Sequence, residues 1–517
     1  LSAEAAPVDR ARLRRNIATT LLPGFAGTSL PDWLAERLRN GLGGVCVFGP
    51  NIVSRAHLRQ LTDAIHDANP LAVIAIDEEG GDVTRLYYDS GSPYPGNAVL
   101  GRLDDVDQTE SVARQVGWEL RRAGCTLTFA PDVDVNSNPN NPVIGVRSFG
   151  SDPHRVAAHS AAWVRGVQAT GVAASPKHFP GHGDTAQDSH LALPIVDVPP
   201  ATLHERELVP FAAAVAAGAQ AVMTSHILLA QVDPLSPATF SAPILQGLLR
   251  GELGFDGVIV SDALDMAGAS GVRGIPGAAV SALVAGCDLL CIGTDNTAAQ
   301  LDDIEAAILA AVDGGRLDEA RVTDAAGRVL RLATETAAQA GAIPVPGSAA
   351  AEPEFDLQLV IDSFELNARA REWLGAAPVA FWVVRLEPVA NLAVGVAPWG
   401  PFAELAAHPD GRLAEAWRSH PVVACTAPAS ASQSLPVPGD AQLLPADASP
   451  VLVIGRDNHR HGFARGVIDR LRADGRRVLA VDMGWPSHDR TYADIATFGA
   501  SRLVGRALLA LLIPDRF

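Results

Sequence analysis

The sequence predicts an α/β protein: an N-terminal (β/α)8 TIM-type barrel followed by a smaller α/β sandwich domain. Three observations predict it. Short apolar runs alternate with amphipathic stretches through the first 340 residues, charged residues follow directly on several of those runs, and a Pro/Ala/Gly-rich segment separates this pattern from a second α/β region.

The runs are Ile17 to Leu22, Gly44 to Phe48, Leu71 to Ile76, Thr126 to Ala130, Val172 to Ser175, Ala221 to Thr224, Val258 to Val260 and Asp288 to Ile292. Continuous apolar runs suit strands buried on both faces, which parallel sheets require. Between them, Ala56 to Ala68, Thr109 to Ala123, His154 to Ala169, Leu203 to Ala217 and Ala278 to Ala285 read as helices, with Ser, Asp or Pro near several starts. Eight such units over about 300 residues fit a closed barrel, whose chemistry sits at the C-terminal ends of its strands. Asp77-Glu78-Glu79, Pro131-Asp132-Val133-Asp134, Pro176-Lys177-His178, Ser225-His226 and Ser261-Asp262 all follow proposed strands, which gathers polar groups on one rim. The expected domains are residues 1–340 for the barrel, 341–357 for the linker and 358–517 for the sandwich. In the last, Val379 to Val384, Val422 to Cys425, Val451 to Ile454 and Val478 to Val481 read as strands and His461 to Ala473 as a helix. Gly455 and Gly462 do not form GxGxxG, so no nucleotide site is expected there.

Composition narrows the function. The chain has 517 residues, with 40 basic against 58 acidic side chains and a net charge of −18, which repels nucleic acid and anionic membrane surfaces. The apolar tract Leu208 to Ala230 is interrupted by Pro210, Gly218, Gln220, Ser225 and His226, so a membrane span is not expected. Cys46, Cys125, Cys287, Cys291 and Cys425 are odd in number and scattered in apolar runs, as reduced core thiols are. With Arg10, Arg12, Arg14 and Arg15 reached before any apolar leader segment, the expected compartment is the cytoplasm. The expected state is a monomer or homodimer.

The stretch Lys177-His178-Phe179-Pro180-Gly181-His182-Gly183-Asp184-Thr185-Ala186-Gln187-Asp188-Ser189-His190 concentrates three histidines, two aspartates and a lysine on a bent loop. So many titratable groups are costly to bury without partners, so the stretch reads as a site. Gly181 and Gly183 are expected to give it mobility. The run Gly257 to Val260 stops at Ser261-Asp262, which sets one carboxylate at a strand end.

Taken with Asp77-Glu78-Glu79-Gly80-Gly81-Asp82-Val83-Thr84-Arg85 and with Asn136 to Gly150, which ends Arg147-Ser148-Phe149-Gly150, these motifs resemble glycoside hydrolase family 3, in particular its β-N-acetylglucosaminidase branch. The resemblance covers about the first 340 residues in order and spacing, and the string KHFPGHGDT followed by DSH is its most specific part. It implies that Asp262 is the nucleophile, His190 the general acid/base and Asp188 the residue that orients His190. It further implies that Asp77, Arg85, Arg147, Lys177 and His178 hold the terminal sugar, with no cofactor. Glu78 departs from the family motif, which carries Gln at that place.

The residue chemistry suits these roles. A retaining glycosidase needs an ionised carboxylate that bonds to the sugar and a second group that first donates and later accepts a proton. An imidazole with an unperturbed pKa of roughly 6.5 can do both. The implied function is a retaining exo-β-N-acetylglucosaminidase acting on chitin or peptidoglycan fragments. The alternative is a phosphorylase of the same fold, with phosphate as acceptor: a carboxylate acid/base would repel phosphate by roughly 4 kcal/mol at 4 Å and an effective dielectric near 20, whereas a histidine would not. Two further rivals are a metal-dependent hydrolase using His178, His182, Asp184, Asp188 and His190, and a non-catalytic sugar-binding protein.

Structural roles compete for each residue. Asp262 could cap a helix, and Lys177 or His178 could pair with Asp132 or Asp134 across the barrel mouth. Arg85 and Arg147 could brace loops, and His182, Asp184, Asp132 and Asp134 read as a supporting layer. His226 reads as site-lining.

Overall fold

The computed structural model describes residues 9–187, 193–271, 273–347, 355–378, 380–389, 393–427 and 449–513. Its chain forms two compact units, Leu1–Glu79 with Val106–Val135 and Ser151–Ser348, and Gly80–Asp105 with Asn136–Gly150 and Ala349–Phe517.

In the first unit the eight expected strands are present: β1 Leu21–Pro23, β2 Gly44–Val47, β3 Val73–Ile76, β4 Leu127–Thr128, β5 Ala173–Ala174, β6 Ala221–Met223, β7 Val258–Ser261 and β8 Leu289–Gly293. All ladders among them are parallel, in two runs, β2-β3-β4-β5 and β1-β8-β7-β6. The runs meet where β1 lies beside β2 and where the segment after β5 joins β6, with Phe179 N donating to the Met223 carbonyl at 2.8 Å and Met223 N to that of Pro176 at 3.0 Å. The barrel is therefore closed. Alternate residues, among them Ala221 and Met223, Val258 and Val260, and Leu289 and Cys291, fill one internal cluster with Leu22, Leu127 and Phe129. Helices open on side-chain caps: Ser54 accepts from His57 N, Asp152 from His154 N and Asp318 from Ala320 N.

One boundary differs from expectation. Ile17 to Thr19 end the helix Arg10–Thr19, and the strand starts only at Leu21. Leu13 and Ile17 are both fully buried, four residues apart on one helical face.

The second unit is built on a six-stranded sheet of β9 Glu365–Leu366, β10 Trp382–Glu387, β11 Val422–Thr426, β12 Val451–Gly455, β13 Val478–Asp482 and β14 Ile495–Ala496, in the order β9-β14-β13-β12-β10-β11. Every ladder is parallel except the edge pair β9 and β14. The helix expected from His461 spans Gly462–Ala473. Two segments that the expected boundaries give to the barrel belong here instead. Val99 joins the core of this unit, Ala500 N donates to Asp82 at 2.8 Å, and Arg460 donates to the Asn141 carbonyl at 2.8 Å. Segments 80–105 and 136–150 follow β3 and β4 in the chain, yet Val99 and Leu103 pack in this second core and Ala98 and Val146 in a small cluster with Ala496 and Phe498, which position along the chain does not reveal.

Candidate active site

The rim at the C-terminal ends of the barrel strands is built around the segment after β5. Asp132 and Lys177 form a parallel bridge on one side of it, and Phe179 and Thr224 form one on the other. Strand pairing thus holds Lys177 and His178 between the ends of β4 and β6. The Lys177–His178 and Phe179–Pro180 peptides are cis.

Lys177 is almost fully buried, and its ammonium lies 2.7 Å from Asp77 and 2.8 Å from Glu79. A buried cation needs such partners, and two carboxylates hold this one in place. His178 Nδ1 lies 2.7 Å from Asp134 Oδ2 and 3.8 Å from Asp132. With both aspartates fully buried, that contact fixes the ring's orientation and, with Nδ1–H as donor, leaves Nε2 as the acceptor nitrogen of the neutral ring. The pairing of His178 with Asp134 is the supporting role expected of that aspartate; Lys177 instead takes the carboxylates after β3.

Asp262 follows β7 directly and is half-buried. Its backbone N lies 3.3 Å from Thr224 Oγ1, on the residue that bridges Phe179, and its own Oδ1 accepts from Ala263 N at 2.8 Å. It caps no helix: the next one, Ala267–Ser270, has Met266 at its N-cap. His226, expected to line the site, is fully buried, with Nε2 at 3.0 Å from the Ala263 carbonyl and Nδ1 at 2.9 Å from Thr239. It braces the turn next to Asp262. A residue that the motifs do not mark is Asp265, whose carboxylate accepts from Thr294 N at 2.9 Å and is pushed up by burial and by the charge of Asp262.

Within the loop, Asp134 accepts from His182 N at 2.6 Å, His182 Nδ1 meets Thr185 at 2.7 Å, and Asp184 pairs with Arg206 at 2.7 Å. The glycines serve close packing here. A Cβ on Gly183 would lie 1.8 Å from the Val135 carbonyl, and one on Gly181, at φ +132°, would lie 2.8 Å from Glu207. Asp188 and His190 lie outside the described residues. Arg85 and Arg147 belong to the second unit, where both are buried: Arg85 donates to the Ala393 carbonyl at 2.7 Å and Arg147 to that of Val143 at 3.1 Å. Glu78 is fully buried.

The residues that could serve a metal are divided. Among the described residues Asp132, Asp134 and His178 bring ligand atoms within 4.8 Å of one another, while His182 and Asp184 are engaged elsewhere.

Residues 30–332 match the profile of the glycosyl hydrolase family 3 N-terminal domain. The chain belongs to glycoside hydrolase family 3. It is a glycoside hydrolase with a TIM-type barrel and an α/β sandwich domain. A β-hexosaminidase of Xylella fastidiosa (strain M12) is 40% identical over 283 residues, 53% of this chain and 82% of its own length. The solved structure of a family 3 β-N-acetylglucosaminidase from Paenibacillus sp. str. FPU-7 aligns over 98% of this chain and 97% of its own, with a TM-score of 0.82 and 30% identity. The β-glucoside phosphorylase BglX, at 19% identity and a TM-score of 0.71, shares the fold. No described helix is long and apolar enough to cross a membrane.

Proposed function

We propose that the chain is a retaining, exo-acting β-N-acetylglucosaminidase that releases terminal N-acetylglucosamine from chitin or peptidoglycan fragments. Asp262 attacks the anomeric carbon, and its bond to the sugar displaces the leaving oxygen, which His190 protonates. His190 then takes a proton from water as that water releases the sugar from Asp262, and Asp188 orients the imidazole and stabilises its charged form. Asp77, Lys177 and His178 hold the sugar hydroxyls. Arg85 and Arg147 are carried over from the family in the same task. Five buried cysteine thiols fit a reducing compartment, the cytoplasm.

The observation that carries this reading is Asp262 at the end of β7, tied through Thr224 to the strand segment that bears Lys177 and His178. Two relatives named for β-hexosaminidase or β-N-acetylglucosaminidase activity support the choice of sugar. Incubation with a 5-fluoro N-acetylglucosaminide, followed by peptide mass spectrometry, should find the sugar on Asp262; a label on another residue, or none with turnover intact, removes the role. The same enzyme given phosphate should release free N-acetylglucosamine. Accumulation of the 1-phosphate instead would convert the reading to phosphorolysis.

A further inference from the structure

The sheet of the second unit has a topological switch point. From β10 the chain runs to β11 on one side and returns to β12 on the other. In open parallel sheets the carboxyl ends of two such strands diverge and leave a crevice where ligands bind. Here that place is a cavity of about 440 Å³.

Its polar groups come from the two diverging strand ends. Arg385 and Glu387 are among the last three residues of β10, and Arg456 follows the last residue of β12. Both guanidiniums lie over the indole of Trp399, Arg385 at 5.2 Å and Arg456 at 4.7 Å from the ring centroid, and Arg385 also lies 4.4 Å from the ring of Phe402. Both oxygens of Glu387 are engaged: one pairs with Arg385 and the other accepts from Trp399 Nε1 at 3.2 Å. Arg456 Nε is buried with no acceptor among the described residues. The remaining wall is apolar, with Val396, Pro398 and Ala406.

Two cations around one ring against one carboxylate leave an excess positive charge in a concave site. Burial pushes the Arg385 guanidinium down from its ordinary value; the pair with Glu387 opposes this, and the neighbouring Arg456 adds to the lowering. Buried guanidinium N–H groups recognise planar or tetrahedral oxyanions. The apolar wall suits the carbon frame that carries such a group.

We propose that this crevice is a binding site for a small organic oxyanion, a carboxylate or phosphate held by Arg385 and Arg456 with its carbon frame against Val396 and Pro398. It does not depend on the glycosidase reading. Calorimetric titration of the full chain with glucose 6-phosphate, glucuronate and glucose tests it on one carbon frame. At least one acid should bind saturably with a Kd below about 1 mM, and glucose should not; whichever acid binds more tightly identifies the head group. Arg456→Met should weaken that binding about tenfold or more. Glu387→Gln, which keeps an acceptor for Trp399 and releases Arg385, should tighten it, a gain that misfolding cannot imitate. Absence of saturable binding by either acid, or wild-type affinity in both variants, overturns the proposal.

Discussion

The two ends of the barrel both bury charge, and they do so with opposite logic. At the N-terminal end Asp288, fully buried just before β8, accepts from Arg250 at 2.6 Å and from Ile259 N at 2.9 Å and pairs with Arg321. One carboxylate is closed by two guanidiniums and a peptide, so every strong acceptor is spent on the protein. At the C-terminal end Asp77, Glu79, Asp132, Asp134 and Asp262 outnumber Lys177 and His178. Asp132 and Asp134 are buried as deeply as Asp288, so burial alone does not distinguish these ends. An excess of one charge among the described residues, fixed on strand termini, marks the C-terminal end, where barrels of this type place their chemistry.

The comparison breaks most directly at Asp262. Asp262→Ala should lower kcat/KM on the order of 10⁴-fold or more while the melting temperature shifts little, because the side chain is half-buried and accepts from its chain neighbour Ala263 N. A loss below tenfold, in a chain still folded, would return Asp262 to a structural role. His190→Ala should cost about 10²- to 10⁴-fold on substrates with poor leaving groups and far less on those with good ones, which depart without a proton. Equal losses on both would take the acid role from His190.

Asp288→Ala asks the reverse question at the other end. Leaving Arg250 and Arg321 without their buried carboxylate should cost about 3–5 kcal/mol of stability, read by urea unfolding. Turnover per folded molecule should not change. A tenfold fall in kcat/KM for the folded fraction would mean that the two ends are coupled.

The same contrast explains what the sequence made legible. All eight barrel strands are readable because strands buried on both faces leave apolar runs, and that reading alone puts Asp77 and Asp262 at strand ends and Lys177 and His178 a few residues past one. Arg250 and Arg321 were invisible: each sits on an amphipathic helix, where arginine is ordinary, and only the fold brings them to Asp288. Arg85 and Arg147 were named from motifs, yet nothing in their neighbourhood showed that the loops bearing them pack in the second core. His226 reads as a rim residue by its position after β6; it is fully buried there, with Nε2 at the Ala263 carbonyl beside Asp262 and Nδ1 at Thr239. Position along a strand predicts the end of the barrel, but not whether a side chain faces ligand or core.

Glu207 sharpens the comparison with the smallest effect, because it is a buried acid at the motif loop with only one of its oxygens answered. It lies under Gly181, with Arg206 at 2.5 Å from Oε1, and Oε2 is buried with no partner among the described residues. Burial pushes its carboxyl up to about 7, and Arg206 only partly opposes this. A folded-state value above the ordinary carboxylate value of 4.5 means that the native state holds the proton more tightly than the unfolded chain does. The stability this group contributes is therefore complete below about pH 4.5 and is lost as pH rises through about 7, a change of at most roughly 3 kcal/mol. Glu207→Gln keeps the volume and removes the titration, so it should gain stability relative to the wild type at pH 7.5 compared with pH 5. Urea midpoints of both proteins at the two pH values measure this directly. Parallel profiles would mean that Glu207 is as well satisfied as Asp288, and that the carboxylates beneath the loop are closed in the same way as those at the base.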